Sequence, residues 1–204
     1  MSKTGAIDFP INGYEAVIFD CDGTLVDSMP AHFDAWCEAL AFYGAGGIFK
    51  EDVFYAMGGR PTRDIVVEIN EEYDLKLDPD AVALAKRDAY LKKLHTVEFI
   101  DEVADFARYL RGKLPMAVAS GGSRYVVEKT LSLLDCSDWF DEVVTADDVE
   151  NGKPAPDIFL KASELLGVAP EKCLVIEDAA PGVIAAQAAG MQVITVPMPI
   201  LVKP

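Results

Sequence analysis

Short apolar runs rich in β-branched residues recur along this chain, and most of them stop at a side chain able to do chemistry. The runs are Glu15-Ala16-Val17-Ile18-Phe19, Met116-Ala117-Val118-Ala119, Val143-Val144, Cys173-Leu174-Val175-Ile176 and Gln192-Val193-Ile194-Thr195-Val196. They read as buried strands. Helical patterns fill the gaps at Asp101–Arg111, Arg124–Leu134, Pro156–Leu166 and Pro181–Ala189, the last ending at Gly190, a common helix-terminating residue. Strands alternating with helices through short connections imply parallel pairing, with helices covering both faces of the sheet.

The interval between the first two runs breaks this rhythm, because one crossover helix needs only a dozen or so residues. Helices are predicted inside it near Ala31–Tyr43, Glu51–Met57, Thr62–Tyr73 and Asp80–His95, with turns at Gly44-Ala45-Gly46-Gly47 and Gly58-Gly59-Arg60-Pro61. The expected fold is therefore α/β: a doubly wound, Rossmann-like parallel-sheet core carrying an inserted α-helical cap bundle. Residues 1–27 and 98–204 are assigned to the core and 28–97 to the cap, hung on connectors near Asp27–Pro30 and His95–Glu98.

Bulk properties exclude several classes. At 204 residues, 51% of them apolar, the chain can bury a substantial core. No apolar run approaches the roughly 18 residues that a membrane span needs. The start, Met1-Ser2-Lys3-Thr4-Gly5, has no apolar signal-peptide centre, so a cytoplasmic location and no membrane partner are expected. Cys21, Cys37, Cys136 and Cys173 have neither metal-ligand nor redox spacing and read as free, mostly buried thiols. A formal charge of −16 argues against nucleic acid as a partner, since that recognition depends on clustered Lys and Arg. The same charge means that an anionic substrate would need local positive charge.

The strand ends supply the chemistry. Asp20-Cys21-Asp22-Gly23-Thr24-Leu25 follows the first strand, where open parallel sheets bind ligands. Side chains two apart in an extended segment point the same way, so Asp20 and Asp22 can address one atom. One carboxylate can serve as nucleophile while the other carries protons. The second strand ends Ser120-Gly121-Gly122, a hydroxyl and backbone N–H groups suited to phosphate oxygens. Lys153 follows the third strand within Asn151-Gly152-Lys153-Pro154-Ala155-Pro156-Asp157, and Glu177-Asp178 closes the fourth. Each has an ordinary reading when taken alone: an acidic turn, a plain loop, a solvated lysine, a surface acid pair. Parallel strands bring all four to one edge, where four carboxylates would face a single ammonium. Such a cluster meets a phosphate only if a divalent cation joins it, and an all-oxygen donor set favours Mg²⁺.

With these motifs in place, the chain resembles the haloacid dehalogenase-like superfamily, in its β-phosphoglucomutase and sugar-phosphate phosphatase branch, across residues 14–197. Asp20-Cys21-Asp22-Gly23-Thr24, Ser120, Lys153 within Gly-Lys-Pro-Ala-Pro-Asp, and Glu177-Asp178 followed by Gly182 stand in the family's order. The resemblance implies that Asp20 attacks phosphorus to form an aspartyl-phosphate, with Asp22 as general acid and base. It implies that Ser120, the Gly121 backbone and Lys153 hold the phosphoryl group, with Thr24 also among the substrate-binding residues. Mg²⁺ would take Asp20, the Asp22 carbonyl and Asp178, with Glu177 acting through water. The implied enzyme is a monomeric phosphoric monoester hydrolase whose partner is a small phosphorylated sugar, and the insert matches the family's mobile cap.

Cap residues expected to face the site are His32, Trp36, Arg60 and Arg63, with Trp36 read first as cap core. His32 matches a position near the active site in the mutase-like branch. The Gly59-Arg60-Pro61-Thr62 turn is similar to that of fructose-1-phosphate phosphatases. Asp88 falls where the mutase pattern carries a lysine for a second phosphate, which favours hydrolysis of a monophosphate over a sugar-phosphate mutase. The remote alternative is a phospho-accepting signalling receiver. Receivers lack a second aspartate two residues after the acceptor.

Overall fold

A computed structural model describes residues 7–10 and 12–197. The outer ends of the 1–27 and 98–204 assignment, and the Met1–Gly5 start, lie outside the described residues. Five strands form one parallel sheet: β1 (Ala16–Phe19), β4 (Met116–Ser120), β5 (Glu142–Thr145), β6 (Cys173–Glu177) and β7 (Gln192–Thr195), in the order β5-β4-β1-β6-β7. Chain order runs outward from β1 in both directions, so β1 lies at the point where the winding reverses, the usual ligand crevice of such sheets. Register is tight there: Phe19 aligns with Val118 on one side and Ile176 on the other.

Strand alternation explains the two cores. Val17 and Phe19 point to one face, where they pack with α5 (Asp101–Leu110) and α6 (Arg124–Leu133) through Val103, Ala107, Val127 and Leu131. Ala16 and Ile18 point to the other, against α7 (Asp157–Leu166) and α8 (Ala180–Ala188) through Phe159, Ala162, Ala185 and Ala186. Residues that alternate between two covered faces are apolar on both, which is why these strands read as unbroken apolar runs.

Between β1 and β4 the chain makes the helical insert: α1 (Met29–Phe42), α2 (Glu51–Ala56), α3 (Thr62–Tyr73) and α4 (Pro79–Lys93). It has its own apolar centre, which includes Trp36, Leu40, Phe49, Phe54, Val66 and Ile69. The predicted helices agree with these bounds to within about two residues, the usual uncertainty of helix ends. The two connectors differ from expectation. Val26–Asp27 (β2) and Glu98–Phe99 (β3) pair antiparallel, so both crossings into the insert are tied together as one ribbon. Strands of two residues carry no periodicity to read.

α4 is set by its own sequence. Asp78 caps it, its carboxylate accepting from the N–H groups of Asp80 and Ala81, and Pro79 opens the first turn. Its buried positions, Val82, Ala89 and Tyr90, fall on one stripe at helical spacing. Lys86 lies on that same stripe.

The cysteines fit the expectation of free thiols: Cys21, Cys136 and Cys173 are buried and Cys37 is exposed. Among the described residues no helix is long and apolar enough to cross a membrane.

Candidate active site

Four loops at the carboxyl edge of the sheet converge on Asp20. Lys153, fully buried, donates to Asp20 Oδ1 at 2.6 Å and to Glu177 Oε1 at 2.8 Å. Burial disfavours its charge, but Asp20 and Glu177 outweigh that and hold the ammonium above the usual lysine range. One ammonium does not neutralise three carboxylates. Asp20, Glu177 and Asp178 bring oxygen atoms within 4.8 Å of one another. Burial, then the neighbouring acids, push Asp20 well above the usual carboxylate range against the pull of Lys153. Burial and Glu177 likewise push Asp178 up to about 7.

The backbone around this trio is shaped to fit it. Gly23 has φ +91°, and a Cβ there would lie 2.5 Å from Asp178 Oδ2. A Cβ on Gly182 in α8 would lie 1.6 Å from Glu177 Oε1, so only glycine lets that helix pass behind the carboxylate. Glu177 Oε2 accepts from the Ala179 N–H at 2.6 Å. Thr24 is fully buried, and its hydroxyl donates to Asp178 Oδ1 at 2.6 Å. Expected at the phosphate, Thr24 instead orients a carboxylate, because its one hydroxyl proton is committed there. Asp178 Oδ2 is buried without a partner. An orphaned carboxylate oxygen inside an excess of negative charge is costly, and it is the arrangement a hard divalent cation with oxygen ligands resolves. The residues present, Asp20, Glu177 and Asp178, fit such an ion.

Asp22 stands apart from the trio and is held differently. Its Oδ1 accepts from the Ser28 hydroxyl at 2.6 Å and from His32 Nε2 at 3.0 Å, and Ser120 Oγ is 3.4 Å from Oδ2. Burial opposes its ionisation, but His32, Ser28 and more distant Lys86 outweigh it and hold the carboxyl well below the usual range. His32 is held below the usual imidazole range by burial and by Lys86, with Asp22 pulling the other way. The partners assign the neutral tautomer with the proton on Nε2: that nitrogen donates to Asp22, while Nδ1 accepts from Lys86 Nζ at 3.0 Å. The His32 ring stacks on Tyr90 at 3.9 Å, which fixes its plane.

Lys86 is the functional residue that sequence reasoning missed. It lines the catalytic pocket, with Nζ 5.9 Å from the ring centroids of both Trp36 and Tyr90. The expectation built on Asp88 is corrected by this geometry. Asp88 is exposed and paired with Arg87 at 3.0 Å, on the opposite side of α4 from the stripe that faces the core. The cap therefore does present a cation to the site, two positions earlier in the helix. Its signal was available as a lysine in step with Val82 and Tyr90.

Other cap residues divide. Trp36 is buried in the insert's apolar centre and also lines the pocket. Arg60 lines the pocket while paired with Glu68 at 2.7 Å. Arg63 does not line it; the side chain is 64% exposed and paired with Asp80 at 2.6 Å. The loop carrying Gly58 and Gly59 lies over the catalytic motifs: a Cβ on Gly121 would meet Gly59 O at 2.1 Å, and one on Gly152 would meet Pro61 Cγ at 2.5 Å. The space left over Asp20 and Asp22 is about 60 Å³.

Sheet order, converging loops and insert together define a hydrolase class that comparison identifies. The sequence profile of haloacid dehalogenase-like hydrolases matches residues 14–190, and the chain belongs to that family. It is 40% identical over 184 residues to the fructose-1-phosphate phosphatase YqaB of Escherichia coli (strain K12), covering 90% of this chain and 96% of that one. It is 35% identical over 182 residues to a phosphorylated carbohydrates phosphatase of Thermotoga maritima, covering 87% and 82%. Among solved structures, CbbY from Rhodobacter sphaeroides in complex with phosphate is similar with a TM-score of 0.80 at 25% identity, covering 90% of this chain and 86% of that one.

Proposed function

We propose that this chain is a Mg²⁺-dependent phosphatase for a small sugar monophosphate, a hexose phosphate with fructose 1-phosphate as the first candidate. The observation that carries it is the pairing of two aspartates two residues apart in opposite environments, Asp20 buried and Asp22 partly exposed. Asp20 lies against Lys153, Glu177 and Asp178, and Asp22 is bonded to Ser28 and His32. The relatives named as sugar-phosphate phosphatases support the substrate class.

In this reading Asp20 attacks phosphorus, the bond from phosphorus to the sugar oxygen breaks, and Asp22 gives that oxygen a proton. Water then attacks the aspartyl-phosphate, passes a proton to Asp22 and releases inorganic phosphate from Asp20. Splitting one displacement into two is the gain of the covalent route. Asp22, whose carboxyl His32 and Ser28 hold below the usual range, is ionised at neutral pH and is the base of the second half. For the first half it needs a proton, which the charge of a phosphoryl group bound beside it favours. Lys153 and Ser120 hold phosphoryl oxygens. A bound Mg²⁺, carried by Asp20 and Asp178 with the Asp22 carbonyl, supplies the charge neutralisation that phosphoryl transfer requires. The insert closes over the reacting atoms and keeps bulk water out.

A sugar-phosphate mutase of the β-phosphoglucomutase type uses the same core, and Lys86 gives it the cap cation it requires. The deciding experiment supplies β-glucose 1-phosphate, glucose 6-phosphate and fructose 1-phosphate with Mg²⁺ and no sugar bisphosphate. Steady release of inorganic phosphate is expected. Conversion of β-glucose 1-phosphate to glucose 6-phosphate faster than either is hydrolysed would establish the mutase instead.

A further inference from the structure

The catalytic pocket, at about 60 Å³, takes a phosphoryl-sized group and no sugar. It abuts a second cavity of about 750 Å³ between insert and core, within the roughly 300–1,000 Å³ range of small-molecule sites. The two meet across His32, Thr62 and Lys86 on the insert side and across Gly121 and Gly122 on the core side. A phosphoryl group seated at Asp20 therefore has its leaving group directed toward this partition, where the two glycines present no side chain. The outer cavity exceeds what one hexose needs.

Its charge is as informative as its size. The rim carries Asp64, Asp80, Asp147 and Glu150, with Arg63 and Arg87 as the cations beyond the partition. Neither arginine is free: Arg63 pairs with Asp80 and Arg87 with Asp88. Beyond Lys86 at the partition, a second phosphate would meet four carboxylates against two arginines already paired, a surplus of negative charge. Hydroxyl groups meet no such barrier, since carboxylates accept their protons.

We propose that the outer cavity admits, besides the single hexose, a larger leaving group, a neutral polyhydroxy unit of about two rings, and disfavours a second phosphate. This rests on the reading of the site as a sugar-phosphate phosphatase. Leu84, half-exposed on α4, lines the cavity away from the reacting atoms and marks how far the leaving group extends.

The test compares kcat/KM, with Mg²⁺, for glucose 6-phosphate, trehalose 6-phosphate, fructose 1-phosphate and fructose 1,6-bisphosphate, with p-nitrophenyl phosphate reporting the core chemistry. Trehalose 6-phosphate should fall within about tenfold of glucose 6-phosphate, and the bisphosphate should fall more than about tenfold below fructose 1-phosphate. Leu84→Trp should lower the ratio of trehalose 6-phosphate to glucose 6-phosphate by about tenfold or more. A two-ring substrate poorer than that limit, a bisphosphate as good as the monophosphate, or an unchanged ratio in Leu84→Trp overturns the inference while hexose and aryl phosphates are still hydrolysed. Absence of phosphate release from every probe would overturn the phosphatase reading itself.

Discussion

Lys86 Nζ lies 3.0 Å from His32 Nδ1, and the same imidazole reaches Asp22 through Nε2, also at 3.0 Å. A cation on the insert is thereby joined to the proposed acid–base carboxylate of the core by one ring. Burial, opposed by Asp22, lowers Lys86 to about 8. The ammonium form predominates below that pH and is lost as pH rises through it. Because kcat/KM reports ionisations of the free enzyme, its value for a sugar phosphate should fall as pH rises through about 8. Lys86→Met should lower kcat/KM at neutral pH and remove that limb of the profile. An identical alkaline limb in the variant would assign the ionisation to another group.

Asp178 offers a test that does not depend on turnover. Its Oδ2 is buried without a partner, and the acids around it outnumber Lys153. Asp178→Asn should therefore stabilise the metal-free protein by on the order of 1–2 kcal/mol, roughly 2–8 °C in Tm for a chain of this length. It should also abolish the rise in Tm that Mg²⁺ gives the unsubstituted protein. Thermal unfolding with and without Mg²⁺ reads both. A variant that keeps the full Mg²⁺ shift would remove Asp178 from the ligand set.

For Asp22, leaving-group chemistry separates proton transfer from binding. Asp22→Asn should reduce hydrolysis of a sugar phosphate by about 10²–10⁴-fold. In the leaving-group step the loss should shrink for an aryl phosphate, whose phenolate departs with little protonation. Single-turnover release of sugar and of phenol measures this step apart from later dephosphorylation. Equal losses for the two would count against Asp22 as general acid.

Gly182 tests the packing behind the site. With a Cβ only 1.6 Å from Glu177 Oε1, Gly182→Ala must displace the carboxylate that holds Lys153. Overpacking of this kind costs about 1–3 kcal/mol, a fall of roughly 2–12 °C in Tm, and activity should drop with it. A variant with unchanged Tm and activity would show that Glu177 can move without consequence.

The core was legible because its signals are local. Val17–Phe19 and Leu174–Ile176 are apolar on both faces, as a sheet covered by helices demands, and each ends directly at Asp20 or Glu177. Placement on successive strand ends was enough to gather Asp20, Asp22, Ser120, Lys153, Glu177 and Asp178. The insert was less legible because its contribution to the site depends on which face of a helix turns inward. Chain position alone points to Asp88, whereas the buried stripe of Val82, Ala89 and Tyr90 selects Lys86. Thr24 shows another limit: its motif brings it to the site, but only the fold reveals that its hydroxyl is committed to Asp178. The ribbon of Val26–Asp27 with Glu98–Phe99 joins residues too far apart in sequence, in strands too short, for any pattern to announce it.

The central claim is that Asp20 becomes covalently phosphorylated. The most direct measurement mixes enzyme, Mg²⁺ and a fast aryl phosphate, quenches with acid within the first turnover and maps the modified peptide by mass spectrometry. A phosphoryl group on Asp20 is predicted, formed as fast as phenol is released and absent from Asp20→Asn. Full release of phenol and phosphate with no phosphorylated enzyme at any time, or a phosphoryl group on another residue, would contradict the account.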